Sequence, residues 1–376
     1  MLYKILLYVT LCYSFNKEVI LMILIGMLHH RKYPTSVTKA YAYAAVAKAE
    51  GAELLYFSPK TVNFKEGKIN GYIYSNGSWK KTQSRFPDVI YNTGDPNKLE
   101  RSREIIAKLK KDIPFTSNSI GNKMNIYKRL KTANEFTQYL IPSHHIHSSK
   151  EFFEYFNYYK KVVFKPAYGR KGKNIIFIER IRENFQLLIK TDCYTYTWDE
   201  LKKYISSILD EESYLIQPYI NCKTNSGLAY DFRLHVQKDG EGKWILTTVY
   251  PRMGPAGSII TNINNGGSTN YLEPFLKQEF GDEYYNIKRY LEVFSLQLAT
   301  HMDDIQQSYF SEIIDELGID VGLDDTGKIW IYEVNWLPGC PPAFYLELDT
   351  VKYMINYALF LAKTYKRENS KKKVIS

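Results

Sequence analysis

The strongest constraint on the fold comes from two apolar runs late in the chain, joined by a short polar turn. The segment "LGIDVGLDDTGKIWIYEVN" (residues 317–335) has the pattern of strand, turn and strand, with the turn centred on Thr326-Gly327. Short apolar runs bounded by turn residues are typical of buried strands. The pattern therefore predicts an antiparallel hairpin, and this hairpin carries three side chains with oxygen atoms.

Asp320 lies in the first run of this hairpin, and Glu333 and Asn335 lie in the second. Residues two apart on a strand share a face, so Glu333 and Asn335 lie side by side. A two- or four-residue turn that pairs Leu323 with Trp330 places Asp320 opposite Glu333. Facing carboxylates repel each other, and a divalent cation such as Mg2+ would resolve the repulsion. A three-residue turn would instead shift the register by one and put Asp320 on the other face. For an isolated Glu-x-Asn, a solvated Glu and a turn-capping Asn are the simpler alternative.

The composition limits the class of protein. A length of 376 residues exceeds one ordinary core, and 45% hydrophobic residues with 24% charged residues are typical of a soluble globular chain. The net charge of +10 favours acidic or phosphate-bearing partners. No zinc-finger, homeodomain or RNA-recognition signature is present, so we expect no specific nucleic-acid partner; binding through net charge is the weaker alternative. The four cysteines form no Cys-x-x-Cys pair, which fits a reducing, cytoplasmic compartment.

The first residues are apolar but do not predict a membrane span. Lys17 and Glu18 interrupt the run, and neither half reaches the roughly 18 to 20 apolar residues that a bilayer requires. We interpret residues 1–21 as an extension and "ILMILIGML" as the first buried strand; a membrane-associated terminus is the alternative.

Residues 22–118 predict a small α/β domain. A helix follows the first strand and stops at Gly51, and a second strand ends at Pro59, which together make a β-α-β unit. A hairpin is expected to turn at Asn76-Gly77, and "FPDVIYNTG" is a further strand.

The following residues predict more mixed structure. A helix over residues 118–140 is capped near Asn118 or Ser119. The strand patterns are "KKVVFKP", "KNIIFIER", "YLIQPYI", and a hairpin of "DFRLHVQK" and "KWILTTVYPRM" around "DGEG"; the long helical pattern is "EYYNIKRYLEVFSLQLATHM". The cluster His144, His145 and His147 is interpreted as part of a surface loop, and Cys340 as a turn residue.

The segment "VVFKPAYGRKGKNIIF" combines a lysine with a glycine-containing loop. Lys165 ends the first strand, and Gly169 and Gly172 lie in the loop that follows. Backbone amides of such a loop cradle phosphate oxygens, and a lysine at its root supplies a charge for them. The P-loop and dinucleotide fingerprints are both absent. A plain hairpin with a basic turn is the alternative interpretation.

Two arginines and a polar loop lie between these segments. Arg233 and Arg252 each occupy a predicted strand; such residues are usually edge residues or ion-pair partners. In a cleft shared with a metal they would neutralise a phosphoryl group in transfer. The loop "NNGGST" could close over an anion with its backbone amides, although most Asn-Gly-Gly runs are plain turns.

Six motifs in order resemble the ATP-grasp superfamily, and within it the YheC/YheD type described as spore-coat-associated. They are "GNKMNIYKRL", "VVFKPAYGRKGKNI", "LIQPYI", "YDFRLHV", "TNINNGGST" and "GIDVG…IYEVNWLPG", from about Gly26 to Lys363. The resemblance implies an ATP-grasp fold of the α/β and α+β class. The implied division is an extension (1–21), an α/β domain (22–118), a central subdomain (119–220), a carboxyl-terminal subdomain with the metal site (221–365) and a basic tail (366–376).

The resemblance also implies roles for individual residues. ATP would lie between the two subdomains and one or two Mg2+ ions, or Mn2+, would accompany it. Nucleotide-binding residues would be Lys123, Lys165, Gly169, Gly172, Gln217, Tyr219 and Ile220; metal ligands Asp320, Glu333 and Asn335; and catalytic residues Arg233, Arg252, Asn262, Gly266 and Gly267. Lys128 is the alternative to Lys123 at the phosphates.

The implied reaction is the ATP-dependent joining of a carboxylate to an amine through an acyl phosphate. Expected partners are small-molecule or peptide carboxylates and amines, and the resemblance adds spore-coat components. The expected locations are the cytoplasm and, by the same resemblance, the spore coat. Peptide-ligase relatives often have an arginine before the paired glycines, where this chain has Asn265. An ATP-binding or structural coat protein without catalysis is therefore the second hypothesis.

Overall fold

The computed structural model describes residues 22–93, 100–116, 118–121, 123–133, 135–167, 174–261, 263, 266–336 and 338. The chain divides into two compact units, residues 1–116 with 340–376 and residues 117–339. Some sequence predictions fall outside the described residues: the extension 1–21, the loop with Gly169 and Gly172, Asn262, Cys340 and the tail 366–376. Among the described residues, no helix has the length and apolar character that crossing a lipid bilayer requires.

The first unit is built on a sheet in the order β3-β4-β2-β1-β6, with β5 paired to β4. Strands β1, β2 and β6 run parallel, and the others are antiparallel. The elements are β1 (Leu24–Leu28), α1 (Thr38–Ala49), β2 (Glu53–Phe57), β3 (Val62–Asn63), β4 (Lys68–Ser75), β5 (Ser78–Arg85), β6 (Val89–Asn92) and α2 (Glu100–Asp112).

The predicted β-α-β unit and hairpin of this region are confirmed. Helix α1 ends just before Gly51, whose φ of 75° lies in the left-handed region that glycine adopts without strain. Ser75 pairs with Ser78 across the β4–β5 turn, and Asn76 and Gly77 both have positive φ. Two consecutive positive φ values make the two-residue turn whose twist matches the flanking strands.

The second unit begins with a six-stranded antiparallel sheet in the order β11-β10-β9-β8-β12-β7, called here the central sheet. Helices α4 and α5 pack on it through an apolar core that includes Phe152, Phe156 and Ile205. The elements are α3 (Lys123–Ala133), β7 (His144–Ile146), α4 (Ser149–Tyr159), β8 (Lys161–Pro166), β9 (Ile176–Ile181), β10 (Asn184–Ile189), β11 (Asp192–Tyr196), α5 (Trp198–Glu211) and β12 (Tyr214–Pro218).

A second antiparallel sheet of this unit has the order β15-β14-β13-β16-β17 and is called the distal sheet. The long helix α7 covers it through an apolar core that includes Phe294, Leu298 and Met302. The elements are β13 (Tyr230–Lys238), β14 (Trp244–Met253), β15 (Ser268–Thr269), α6 (Leu272–Phe280), α7 (Tyr284–Phe310), β16 (Glu316–Leu323) and β17 (Ile329–Trp336). The predicted hairpins β13–β14 and β16–β17 are confirmed.

Two local predictions are wrong. The helix expected from Asn118 begins at Lys123, because Asn118 donates its backbone and side-chain N–H groups to the carbonyl of Ile313, 3.1 Å away in each case. His144 and His145 belong to strand β7 rather than to a loop. The imidazole of His144 stacks on Tyr155 with ring centroids 4.0 Å apart, so this histidine has aromatic packing that the sequence did not indicate.

The β16–β17 hairpin reaches its predicted register by an unpredicted route. The Asp324 amide donates to the Lys328 carbonyl, which makes the turn a three-residue loop and pairs Leu323 with Ile329. The predicted pairing of Leu323 with Trp330 is therefore wrong. A β-bulge next to Asp320 shifts the register back by one residue. Asp320 consequently lies opposite Glu333, as predicted.

Gly254 supports the end of β14 beside the loop that follows it, and we predict that Gly254→Ala lowers the free energy of unfolding. A Cβ atom there would lie 2.6 Å from the backbone oxygen of Ile260. Overpacking of this kind costs about 1–3 kcal/mol. Gly240→Ala, in the β13–β14 turn with no atom within 4 Å, is the matched control and should change stability by less than about 0.5 kcal/mol. Urea unfolding that gives equal midpoints for both variants would contradict this packing.

Candidate functional site

A cavity of about 180 Å³ lies between the central and distal sheets of the second unit. Strands β8 and β12 of the central sheet line one wall, and strands β13, β14, β16 and β17 of the distal sheet line the other. The cavity therefore collects side chains that are more than 150 positions apart in the sequence, such as Lys165 and Glu333.

Seven of the residues singled out in the sequence line this cavity: Lys165, Gln217, Tyr219, Ile220, Arg252, Asp320 and Glu333. Strand alternation explains the orientation of Lys165. Val163 and Lys165 line the cavity, whereas Val162 and Phe164 are fully buried on the other face of β8. On the neighbouring strand, β12 ends at Pro218, and the Tyr219 amide then donates to the Lys161 carbonyl at 2.9 Å. The chain from Gln217 to Ile220 thus runs along the cavity wall.

Four buried charged side chains form a chain of alternating sign beside the cavity. Arg252 donates through Nε and Nη2 to the two carboxylate oxygens of Asp231, at 2.7 Å each. Arg252 Nη2 also lies 3.1 Å from Asp320 Oδ2, and Arg233 donates to both oxygens of Asp320. All four residues are at most 8% exposed. Two positive and two negative charges therefore balance among largely buried side chains.

Among these four charged groups, the pKa values of the two carboxylates, Asp231 and Asp320, shift in opposite directions. Burial raises the pKa of Asp231, which has one arginine partner. Burial also acts to raise the pKa of Asp320, but the guanidinium groups of Arg233 and Arg252 outweigh it and lower that pKa overall. The ionised form of Asp320 therefore stabilises the fold above the usual carboxyl pKa, and this contribution is lost as the pH falls below that value.

The residues present fit a hard divalent cation. Asp320 and Glu333 are paired across β16–β17, and Asn335 Nδ2 lies 3.5 Å from Asp320 Oδ2. Rotation of the Asn335 amide would present its oxygen instead, which completes an all-oxygen donor set suited to Mg2+. In the described part of the chain, no group of three or more His, Cys, Asp or Glu side chains is arranged for a metal. This donor set contains only two carboxylates, Asp320 and Glu333, so its third protein ligand would have to be the Asn335 amide oxygen.

The bulge in β17 explains why two consecutive residues line the cavity. Neighbours on a regular strand point to opposite faces, yet both Tyr332 and Glu333 line it. The Tyr332 hydroxyl donates to Cys222 Sγ at 3.1 Å. Burial raises the pKa of the Cys222 thiol to about 12, so this cysteine is a wall residue rather than a nucleophile.

Sequence reasoning missed Asp231, Thr261, Cys222 and Tyr332, which all line the cavity. Asp231 lies directly opposite Arg252, but only because a bulge after His235 shifts the β13–β14 register by one residue, so regular pairing from the "DGEG" turn did not indicate it. Thr261 donates its hydroxyl to Asp231 from the loop after β14.

The other predicted site residues lie elsewhere or outside the description. Arg233 and Asn335 contact Asp320 but do not line the cavity, and neither do Gly266 and Gly267. Lys123 begins α3, but its side chain is outside the described set, as are Gly169, Gly172 and Asn262. Lys128 is exposed on α3 and is not a cavity residue, so the choice between Lys123 and Lys128 stays open.

We predict that Arg252→Leu destabilises the protein by about 3–5 kcal/mol, because it leaves the buried carboxylate of Asp231 without its arginine. Arg180→Leu is the control: this side chain is 51% exposed and pairs with Glu183 at the surface, where ion pairs contribute about 0–1 kcal/mol. Chemical denaturation of both variants checks the difference. If Arg252→Leu lowers the free energy of unfolding no more than Arg180→Leu does, the four buried charged side chains contribute little to stability.

Comparison with known proteins gives the family. The sequence model described as YheC/D like ATP-grasp matches residues 112–361. Endospore coat-associated protein YheD of Bacillus subtilis (strain 168) is 25% identical over 330 residues, with coverage of 83% of this chain and 71% of the relative. Endospore coat-associated protein YheC of the same organism is 22% identical over 307 residues, covering 77% and 81%.

Among solved structures, D-alanyl-alanine synthetase A from Vibrio cholerae matches with a TM-score of 0.49 at 13% identity, covering 85% of this chain and 90% of that chain. The family match spans more than half of the chain and includes every described residue that lines the cavity. This protein therefore belongs to the YheC/D-like ATP-grasp family and has the ATP-grasp fold.

Proposed function

We propose that the protein is an Mg2+- and ATP-dependent ligase that joins a carboxylate to an amine through an acyl phosphate. The observation that carries this proposal is the meeting of Lys165, Arg252, Asp320 and Glu333 in one cavity. A lysine and an arginine suit phosphate oxygens, and the two carboxylates suit the cation that accompanies a nucleotide. The family membership supports the use of ATP.

The nucleotide would lie with its adenine against the segment from Gln217 to Ile220. The Tyr219 amide already donates to Lys161, and the Ile220 carbonyl accepts from the Cys222 amide at 3.1 Å. The Tyr219 carbonyl and the Ile220 amide are therefore the backbone groups we assign to the adenine edge. Tyr219, Cys222 and Tyr332 would supply the apolar wall for the ring.

In the first step, a carboxylate oxygen of the substrate attacks the γ-phosphorus and ADP leaves. In the second step, the amine nitrogen attacks the acyl carbon, inorganic phosphate leaves and the amine proton passes to solvent. Lys165 would hold phosphate oxygens, and Arg252 and Arg233 would stabilise the charge on the transferred group. Asp320, Glu333 and Asn335 would hold Mg2+, which when bound would neutralise charge on the phosphates. Positioning and charge neutralisation carry most of such catalysis.

Because the four buried charged side chains share partners, we expect the nucleotide and the cation to bind together. Asp320 accepts hydrogen bonds from Arg233 and lies 3.1 Å from Arg252, so its oxygens are shared with two guanidinium groups. A phosphate that draws Arg252 towards itself would leave Asp320 available to the cation. Binding of only one of the two ligands would leave one of these buried charges without its partner.

We expect ATP and Mg2+ together to raise the melting temperature, and each alone to raise it much less. A ligand that binds only the native state adds about 2.7 kcal/mol of stability at a hundredfold excess over its Kd. Lys165→Met and Glu333→Gln should remove the shift, because they remove a phosphate contact and a cation ligand.

Two controls keep the fold and the local sequence matched. Lys161→Met alters a 60% exposed lysine on the same strand as Lys165, and Asp325→Asn alters the turn of the same hairpin as Glu333. Both should retain the shift. If wild type shows no shift at millimolar nucleotide, or if all four variants behave alike, the cavity is not the nucleotide site.

Turnover separates the ligase from a second candidate, an ATP-binding coat protein without catalysis. We consider that candidate because the relatives YheD and YheC are named endospore coat-associated proteins. We predict that phosphate release from ATP appears when a metabolite extract supplies carboxylates and amines, and that Glu333→Ala abolishes it while the variant stays folded. Full turnover by Glu333→Ala would refute the role of Glu333, and silence of the wild type with every mixture would favour the binding protein.

A further inference from the structure

The parallel part of the sheet in the first unit has a point where the strand order reverses. Strand β1 lies between β2 and β6, and all three run parallel, so their carboxyl ends share one edge. The chain leaves β1 for β2 on one side and later returns to β6 on the other. In open α/β sheets, such a reversal leaves a crevice outside the carboxyl ends of the strands, and ligands bind there.

Basic and hydrogen-bonding side chains collect at this edge. His29, His30 and Arg31 follow β1 directly, and Lys39 lies in the first turn of α1. Lys39 Nζ lies 3.2 Å from the hydroxyl of Tyr91 on β6, so it links α1 to β6 at this edge.

The aromatic groups around Lys39 hold its position. Tyr43 stacks on Tyr91 with ring centroids 4.9 Å apart, and their hydroxyl oxygens are 3.0 Å apart. Lys39 Nζ lies 5.6 Å from the centroid of Tyr43 and 5.3 Å from that of Tyr91. A lysine held against two aromatic faces loses less conformational freedom when it binds a ligand.

Charge at this edge is one-sided over β1 and α1. No acidic residue occurs from Met22 to Ala49, and the first two, Glu50 and Glu53, lie at the far end of α1 and at the start of β2. Helix α1 begins without a side-chain cap or an acidic residue in its first turn, which adds the positive end of its dipole.

His29 is buried beside these basic groups. It is 6% exposed, and burial first, then the charges of His30, Arg31 and Lys39, lower its pKa to about 4. It therefore stays neutral at physiological pH, and the Arg31 amide donates to its Nδ1 at 2.9 Å. His29 therefore contributes a neutral, hydrogen-bonded ring, and the positive charge at this edge comes from Arg31 and Lys39.

We propose that the carboxyl edge between β1 and β6 binds an oxyanion of the substrate, a carboxylate or a phosphate, with Lys39 and Arg31 as its charged partners. This assignment names the chemical class of the substrate group and rests on the proposed ligase function for its role. The binding itself requires no nucleotide, so it is tested separately.

The experiment is isothermal titration of the full chain, without nucleotide, with inorganic phosphate in one series and glutamate in another. We expect at least one of them to bind, and binding of one alone identifies the source of the oxyanion. Lys39→Met should weaken binding about tenfold or more, because it removes a charged hydrogen-bond donor to the anion. Arg31→Gln should weaken it as well, and Lys39→Arg, which keeps the charge, should bind.

Two variants locate the site. Lys48→Met alters the other end of α1, where Lys48 lies 3.9 Å from Glu53, and should bind as wild type does. Lys165→Met removes the phosphate contact of the cavity in the second unit and should also leave this binding intact. Loss of binding in Lys165→Met alone, equal affinity in Lys39→Met and Arg31→Gln, or absence of binding of either anion to wild type would overturn the proposal. Each of these results leaves the test of the ATP site unaffected.

Discussion

The site depends on the buried pairing of Asp231, Arg252, Asp320 and Arg233. Taking charges out of water costs several kcal/mol for each ion, so such a group is stable only when each charge meets a well-placed partner. The sheet register supplies that placement, since Asp231 lies directly opposite Arg252 on β13–β14 and Arg233 lies directly opposite Asp320 on β13–β16. The three strands are thereby fixed in one register, and the cavity floor is fixed with them.

The same network explains how one sheet could serve both a cation and a phosphate. Asp320 has Arg233 and Arg252 on one side and Glu333 on the other. Its carboxylate therefore contacts the arginines and also lies opposite the second carboxylate. The bulge beside Asp320 gives β17 one extra residue, which puts Tyr332 and Glu333 on the same wall. In the proposed function, an apolar surface for a base and a ligand for a cation would thus come from consecutive residues, which a regular strand could not achieve.

Local patterns predicted much of this fold, because turn chemistry and strand alternation are written in short segments. The Asn76-Gly77 turn and the strand–loop–strand around Lys165 are of this kind. The opposition of Asp320 and Glu333 was predicted correctly, but it results from two shifts of one residue that cancel. The three-residue turn was the alternative in the sequence analysis, whereas the bulge was not visible in the sequence. The arginine partners were not predicted, because burial of Arg233 and Arg252 depends on which strands become neighbours. His144 was missed for the same reason, since β7 forms only by pairing with β12, about 70 residues away.

We propose that Asp320 exchanges Arg252 for a cation when a nucleotide phosphate arrives. Binding of Mn2+, which substitutes for Mg2+ and is followed by its electron paramagnetic resonance signal, tests this most directly. We expect weak Mn2+ binding to the protein alone, and binding at least about tenfold tighter to the protein with a non-hydrolysable ATP analogue than to the analogue alone. Tight binding of Mn2+ to the protein without nucleotide, unchanged by the analogue, would contradict it.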